Sequence, residues 1–215
     1  MKKTFWMTTL IMFFIGGGIF LASSSSASLI TAVDFEAPGE SRTTGNWSLG
    51  FEFNVNEDIL VDRLGFFDFE KNDLVESHLV GIWNPQGTLI VSGQVNPGDM
   101  LHSWWRWTSV NPTMLTIGDG YRIAAVTGTE IYTADPEGFT VNPSITYVTA
   151  RATPTSGELI RPIGSYPDEI GFFGPNFASS LEIPPSPVPE PSTTFLLSIS
   201  LLGLTLFGNR RRSKT

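Results

Sequence analysis

Leu49-Gly50-Phe51-Glu52-Phe53-Asn54-Val55-Asn56 alternates apolar and polar side chains, and Ile59 to Phe69 follows with Ile59, Val61, Leu64, Phe66, Phe67 and Phe69. A period of two is the mark of an extended chain, because successive side chains of a strand point to opposite faces of its sheet. Both stretches therefore predict half-buried strands, and the Asn56-Glu57-Asp58 break between them reads as a hairpin loop. The pattern recurs downstream. His78–Trp83 and Thr88–Val95 form a second pair joined by Asn84-Pro85-Gln86-Gly87, with Pro and Gly where a four-residue turn needs them. Trp104–Val110, Met114–Ile117, Tyr121–Val126 and Ser144–Ala150 are further strands, and Gly118-Asp119-Gly120 reads as another tight turn. No window between the chain's two apolar ends carries a 3.6-residue amphipathic period. Many short strands separated by Gly, Pro and Asn turns predict an all-β antiparallel sandwich or jelly roll, which this pattern does not separate from a barrel. Residues 151–187 are Pro-rich and less regular; Ile170–Phe177 reads as a last strand or loop, and Ser179–Pro191 as a semi-extended stalk.

The two ends of the 215-residue chain are of a different kind. Lys2 and Lys3 precede an apolar run from Leu10 to Leu21, and small residues follow to Ser25-Ser26-Ala27. This is the build of a secretory signal peptide over residues 1–27, with cleavage between Ala27 and Ser28; counting the apolar stretch from Phe5 gives an uncleaved anchor instead. At the other end, Val188-Pro189-Glu190-Pro191 stands before an uncharged stretch over 192–209, and Arg210-Arg211-Arg212 follow with Lys214. Eighteen residues of helix reach roughly 27 Å, close to the ~30 Å hydrocarbon core of a bilayer. The stretch thus predicts a single short transmembrane helix, with residues 210–215 as a basic tail held in the cytoplasm. Cations at both ends place the middle of the chain outside: an ectodomain over 28–178 and a stalk over 179–191.

This C-terminal arrangement resembles the PEP-CTERM sorting signal of exported bacterial proteins. The resemblance implies a Gram-negative bacterium that makes exopolysaccharide, and an exosortase-like membrane enzyme that processes the chain near Pro189-Glu190-Pro191. It implies passage through the inner membrane, anchoring by the C-terminal helix, and a final place at the cell surface or outside the cell.

Charge narrows the partners. The chain carries a formal net charge of −8, but residues 28–191 hold seven basic side chains against all 21 acidic ones, a local net of −14. Such a surface repels phosphate backbones and anionic headgroups, which excludes nucleic acid. The chain has no cysteine, so an exported domain of this kind holds no disulfide, thiol nucleophile or soft-metal site and must rest on a packed core.

Leu64-Gly65-Phe66-Phe67-Asp68, Ser77-His78-Leu79-Val80-Gly81-Ile82-Trp83, Gly87-Thr88-Leu89 and Leu115-Thr116-Ile117-Gly118-Asp119-Gly120-Tyr121-Arg122-Ile123 together resemble an uncharacterised β-sandwich family of bacterial surface proteins, over roughly 48–127. That resemblance implies a noncatalytic, carbohydrate-associated module and carries no catalytic residues over.

The residues themselves offer little catalytic chemistry. His78 and His102 are the only histidines, and Ser77 beside His78 cannot be its nucleophile, because adjacent strand residues face opposite ways. His78 reads as a hydrogen-bonded structural residue. No G-x-S-x-G elbow, H-E-x-x-H pair or Walker loop is present. Glu52 reads as a solvated strand residue. Asp68-Phe69-Glu70-Lys71-Asn72-Asp73 gathers enough oxygens to hold Ca²⁺, but it lacks the glycine and the regular spacing of an EF-hand loop, and a plain polar turn is the favoured reading, so no cofactor is expected. The stronger lead is Trp104-Trp105-Arg106-Trp107. Alternation puts Trp105 and Trp107 on one face, and Trp104 with Arg106 on the other as an indole beside a guanidinium, the kind of platform that grips a sugar ring. The competing reading is core tryptophan with a stacked surface arginine. Trp47 and Trp83 are expected inside. The expected function is that of a noncatalytic surface or matrix protein associated with exopolysaccharide; the alternatives are a carbohydrate-binding module using Trp104 and Arg106, and a two-carboxylate polysaccharide hydrolase.

Overall fold

The computed structural model describes residues 28–181. The signal peptide, the sorting motif Val188–Pro191, the apolar C-terminal stretch and Arg210–Arg212 lie outside the described residues. Among the described residues no helix is long and apolar enough to cross a membrane.

The described chain is built of β1 (Ser28–Thr31), β2 (Val33–Asp34), β3 (Glu40–Arg42), β4 (Trp47–Val55), β5 (Ile59–Phe67), β6 (His78–Trp83), β7 (Leu89–Val95), β8 (Met100–His102), β9 (Trp105–Leu115), β10 (Gly118–Val126), β11 (Tyr132–Ala134), β12 (Thr140–Val141), β13 (Ile145–Pro154), β14 (Gly164–Tyr166) and β15 (Pro175–Leu181). All pairings are antiparallel. A five-stranded sheet in the order β1-β15-β5-β9-β8 faces a six-stranded sheet in the order β14-β13-β4-β10-β6-β7, with ribbons β3–β11 and β2–β12 at the margins. The fold is the expected all-β sandwich.

The strand pair that predicts the fold is not a hairpin. β4 pairs with β10 and β13, whereas β5 pairs with β9 and β15, so Asn56-Glu57-Asp58 carries the chain from one sheet to the other. Each strand needs two neighbours of its own to satisfy its backbone, and a direct β4–β5 pairing would deny one of them. The Asn56 N–H donates to the Ser144 carbonyl (2.8 Å), and Asp58 Oδ1 accepts from the Ile117 N–H (3.0 Å), tying this corner to the crossing between β9 and β10. The turn expected at Gly118-Asp119-Gly120 is instead a bulge within β10, between Gly118 opposite Val55 and Tyr121 opposite Phe53, with Gly120 at φ +85°. The two strands expected over Trp104–Val110 and Met114–Ile117 are one, β9, whose register against β5 shifts around Pro112. A proline fits there because a bulge leaves a backbone position unpaired. The β6–β7 hairpin and its turn stand as read: the Gly87 N–H donates to the Asn84 carbonyl and the Asn84 N–H to the Thr88 carbonyl, both at 2.9 Å.

The core follows from the alternation. Phe51, Phe53 and Val55 of β4 are buried with Ile123 of β10 and Ile82 of β6, against Leu64 and Phe66 of β5 and Phe177 of β15. Phe53 meets Phe177 across the sandwich at 4.9 Å between ring centres, and Phe66 stacks on His78 at 3.7 Å. The segment after β2 covers the other face of the five-stranded sheet. There Asn176 Nδ2 donates to the Val33 carbonyl (2.8 Å), and Phe35 packs 4.9 Å from Trp105. This second layer is why Phe67 and Trp105 are buried although they point away from Phe66.

Candidate functional site

The Trp104–Arg106 pair does not form an open platform. Residues 103 and 104 make a turn with Ser103 at φ +55°, so strand alternation begins only at Trp105. Trp104 joins the cluster around Phe35, stacked on it at 5.9 Å, and its Nε1–H donates to the Phe35 carbonyl (3.0 Å). Lys71 Nζ sits 3.8 Å from the centre of the indole ring. Arg106 turns elsewhere. Its Nε–H donates to Asp68 Oδ2 (2.8 Å), one Nη donates to the Asp99 carbonyl (3.0 Å), and Asp73 Oδ1 lies 3.5 Å away. Asp68 is 1% exposed, and its Oδ1 has no partner among the described residues. The Asp68–Asp73 loop, a polar turn for which Ca²⁺ is the alternative reading, thus has Arg106 as the cation on its carboxylates. Backbone N–H groups of Gly98 and Leu74 hold the Asp73 carboxyl below its usual range.

Two further readings meet geometry that differs in part. Glu52 is not solvated: its Oε2 accepts from Arg122 and Arg151, both at 2.8 Å, on the outer face of the six-stranded sheet. Those arginines also donate to the Pro162 and Ile163 carbonyls, fastening the β13–β14 connection across that face. His78 is buried, with Nδ1 2.9 Å from the Val126 carbonyl, in the structural position expected of it. His102 is exposed on β8. Trp83 is buried as expected; Trp47 is not fully so.

Trp47 instead lines a cleft of about 190 Å³ at the margin of the sandwich. Its floor comes from Leu49 of β4, Ala152 of β13 and Phe172. The walls are Tyr132 of β11, Tyr166 of β14 and Trp47 at the start of β4. The register explains the opening: Ala150 and Ala152 stand opposite Tyr166 and Gly164, so small side chains on β13 leave room for rings contributed by its neighbours. Phe172 touches Tyr132 and Tyr166 edge-on, at 5.7 and 5.1 Å between ring centres. At the rim Arg42 donates to Glu169 and to Glu40, and the hydrogen bond to Glu40 leads in pulling the guanidinium pKa up. Burial pushes the Tyr132 hydroxyl up, opposed by its hydrogen bond with Thr44.

The rim is held in place from behind. The Ile170 N–H donates to Asp135 Oδ1 and the Asp135 N–H to the Ile170 carbonyl, both at 3.0 Å. The Gly171 N–H donates to the Tyr147 hydroxyl (2.9 Å), whose burial pushes its pKa up to about 12. Phe173 is bridged to Thr133. The loop that presents Glu169 is thus anchored on both sides. Trp47 Nε1 and the Tyr166 hydroxyl, by contrast, make no hydrogen bond among the described residues, and both side chains belong to partly exposed residues.

Sequence reading misses this site because its members come from residues 42 to 172 and share no local motif. The one local signal is Ala150-Arg151-Ala152, two small residues on one face of a strand otherwise rich in larger ones.

Residues 33–169 match the family described as Domain of unknown function (DUF4082), and residues 187–212 match the PEP-CTERM protein-sorting motif. The second match implies export, C-terminal membrane sorting and processing by an exosortase. None of the curated proteins and none of the solved structures matches the chain. The matched range stops short of β15, although β15 lies between β1 and β5 in the five-stranded sheet.

Proposed function

We propose that this chain, which belongs to the DUF4082 family and ends in a PEP-CTERM protein-sorting motif, is a noncatalytic cell-surface or extracellular-matrix protein associated with exopolysaccharide. The observation that carries the reading is the pairing of one β-sandwich with a sorting tail: the tail supplies the address and the sandwich is what is delivered. The placement of the polar residues supports a binding or structural role. His78 is packed flat on Phe66, and the carboxylates at the cleft rim are both engaged by Arg42. Val188-Pro189-Glu190-Pro191 acts as substrate of the processing enzyme, with Arg210–Arg212 holding the far end of the tether in the cytoplasm and Ala27–Ser28 marking the signal cleavage. Replacing Glu190 with Ala in the native host tests it. Processing should fall and the chain should accumulate in the membrane fraction; unchanged processing and location would overturn the sorting role.

A second reading, a carbohydrate-binding module, is favoured by the open aromatic cleft, not by Trp104 and Arg106. Co-sedimentation of the full chain with the host's own exopolysaccharide is its test.

A further inference from the structure

We propose that the cleft between the β3–β11 ribbon and the β13–β14 margin binds one uncharged sugar ring, stacked between Trp47 and Tyr166 with its hydroxyls on Arg42 and Glu169. This rests on the carbohydrate-binding reading and gives it a site and a ligand class.

Four observations converge. The first is size. A volume of about 190 Å³ is below the ~300–1,000 Å³ of drug-sized pockets, so the cleft suits one ring with the rest of a polymer leaving along the surface. The second is the wall chemistry. Aromatic faces carry a partial negative charge that attracts the C–H groups on the flat side of a pyranose, while the ring edges present polar handles. Trp47 Nε1 and the Tyr166 hydroxyl are such handles, and neither makes a hydrogen bond among the described residues.

The third is charge. Arg42 and Glu169 stand side by side, 30% and 28% exposed in their side chains. With Glu40 also on Arg42, they offer donors next to acceptors with one carboxylate in excess, which matches neighbouring hydroxyls and disfavours an anion. A uronate carboxylate would have to displace Glu169 from Arg42, and would do so on a strongly acidic domain. The fourth is preorganisation. Tyr147, Asp135 and Thr133 fix the Glu169 loop before any ligand arrives, so little ordering is left to oppose binding.

The test is titration of the full chain, held in a sugar-free zwitterionic detergent, with glucose, galactose, mannose and N-acetylglucosamine, and in parallel with glucuronate and galacturonate. Tryptophan fluorescence and calorimetry are the readouts. At least one neutral sugar should give saturable binding. Trp47→Ala and Tyr166→Ala should each weaken it roughly tenfold or more while far-UV circular dichroism at the titration temperature matches wild type, and Trp104→Ala should leave it intact. Uronates bound more tightly than every neutral sugar would overturn the ligand class. Full affinity retained in Trp47→Ala and Tyr166→Ala would overturn the site. The host polymer separates the two levels of the argument. If wild type and both variants co-sediment with it alike, the module reading stands and the cleft fails. If nothing co-sediments and no sugar binds, both fail.

Discussion

Trp104 and Arg106 lie two residues apart in sequence, whereas Trp47 and Arg42 meet Tyr166 and Glu169 only through the fold, yet the second group is the one whose charged side chains are the more exposed. Both places contain the same ingredients: an indole, a guanidinium and carboxylates. In the first, the strand start and the Asp68–Asp73 loop turn those groups on one another, and Arg106 ends 14% exposed with a carboxylate that is 1% exposed. In the second, the arginine and its carboxylates are a rim pair, and the rings behind them keep free edges. Proximity in sequence thus selects residues that satisfy each other; a binding surface needs residues whose partners are missing, and these are more readily assembled from distant strands.

The difference should be largest in stability. Removing one partner of a buried ion pair leaves the other charge uncompensated, at a cost of about 3–5 kcal/mol. Arg106→Ala should therefore lower the unfolding free energy by about that much, since Asp68 would remain buried with only the Asp73 N–H on it. Arg42→Ala removes a half-exposed pair at the rim and should cost about 0–1 kcal/mol. Urea unfolding of the two variants beside wild type measures both. Similar losses in the two would break the distinction between a structural knot and a binding rim.

Acid provides the next contrast. His78 has its pKa lowered, first by burial, against the raising effects of the Val126 carbonyl, Glu130 and Glu76. Its ordinary value is 6.5, so below that pH the unfolded chain takes up a proton that the folded chain still refuses. Stability is therefore fully present above about pH 6.5 and falls as the pH drops through and below it, with a slope of at most about 1.4 kcal/mol per pH unit. In His78→Gln that part of the slope should vanish. The cleft holds no histidine, so sugar binding should stay level between pH 7 and pH 5.5 while the fold is intact. Binding that follows the His78 transition would couple the two regions.

How much of this is legible in advance differs between the elements. The alternation around Phe51 and Phe53 is read correctly because burial on one face imposes it locally, and the Asn84–Gly87 turn because Pro and Gly set backbone geometry by themselves. The destination of a connection is not local: Asn56-Glu57-Asp58 has turn chemistry whether the next strand pairs with β4 or joins the opposite sheet. Glu52 looks solvated because its arginines are 70 and 99 residues away. β1, β2 and β3 are too short to show a period, yet β2 and Phe35 create the second layer that buries Trp105. The cleft was invisible for the same reason; only its small residues on β13 leave a local trace.

The smallest effect is the sharpest probe of the comparison. Lys71 covers the indole face of Trp104 at 3.8 Å, a contact worth about 0.5–1 kcal/mol at an exposed site. Lys71→Ala should cost the fold no more than that, and it uncovers an aromatic face beside an arginine. If the Trp104 region is closed by its own satisfied bonds, uncovering the ring changes nothing, because Arg106 still serves Asp68 and the Trp104 Nε1–H still serves the Phe35 carbonyl. Titration of Lys71→Ala with the same neutral sugars should then match wild type, with one site per chain by calorimetry. A second site appearing in the variant would mean that one lysine, and not the hydrogen bonding beneath it, is what separates the closed region from the open one.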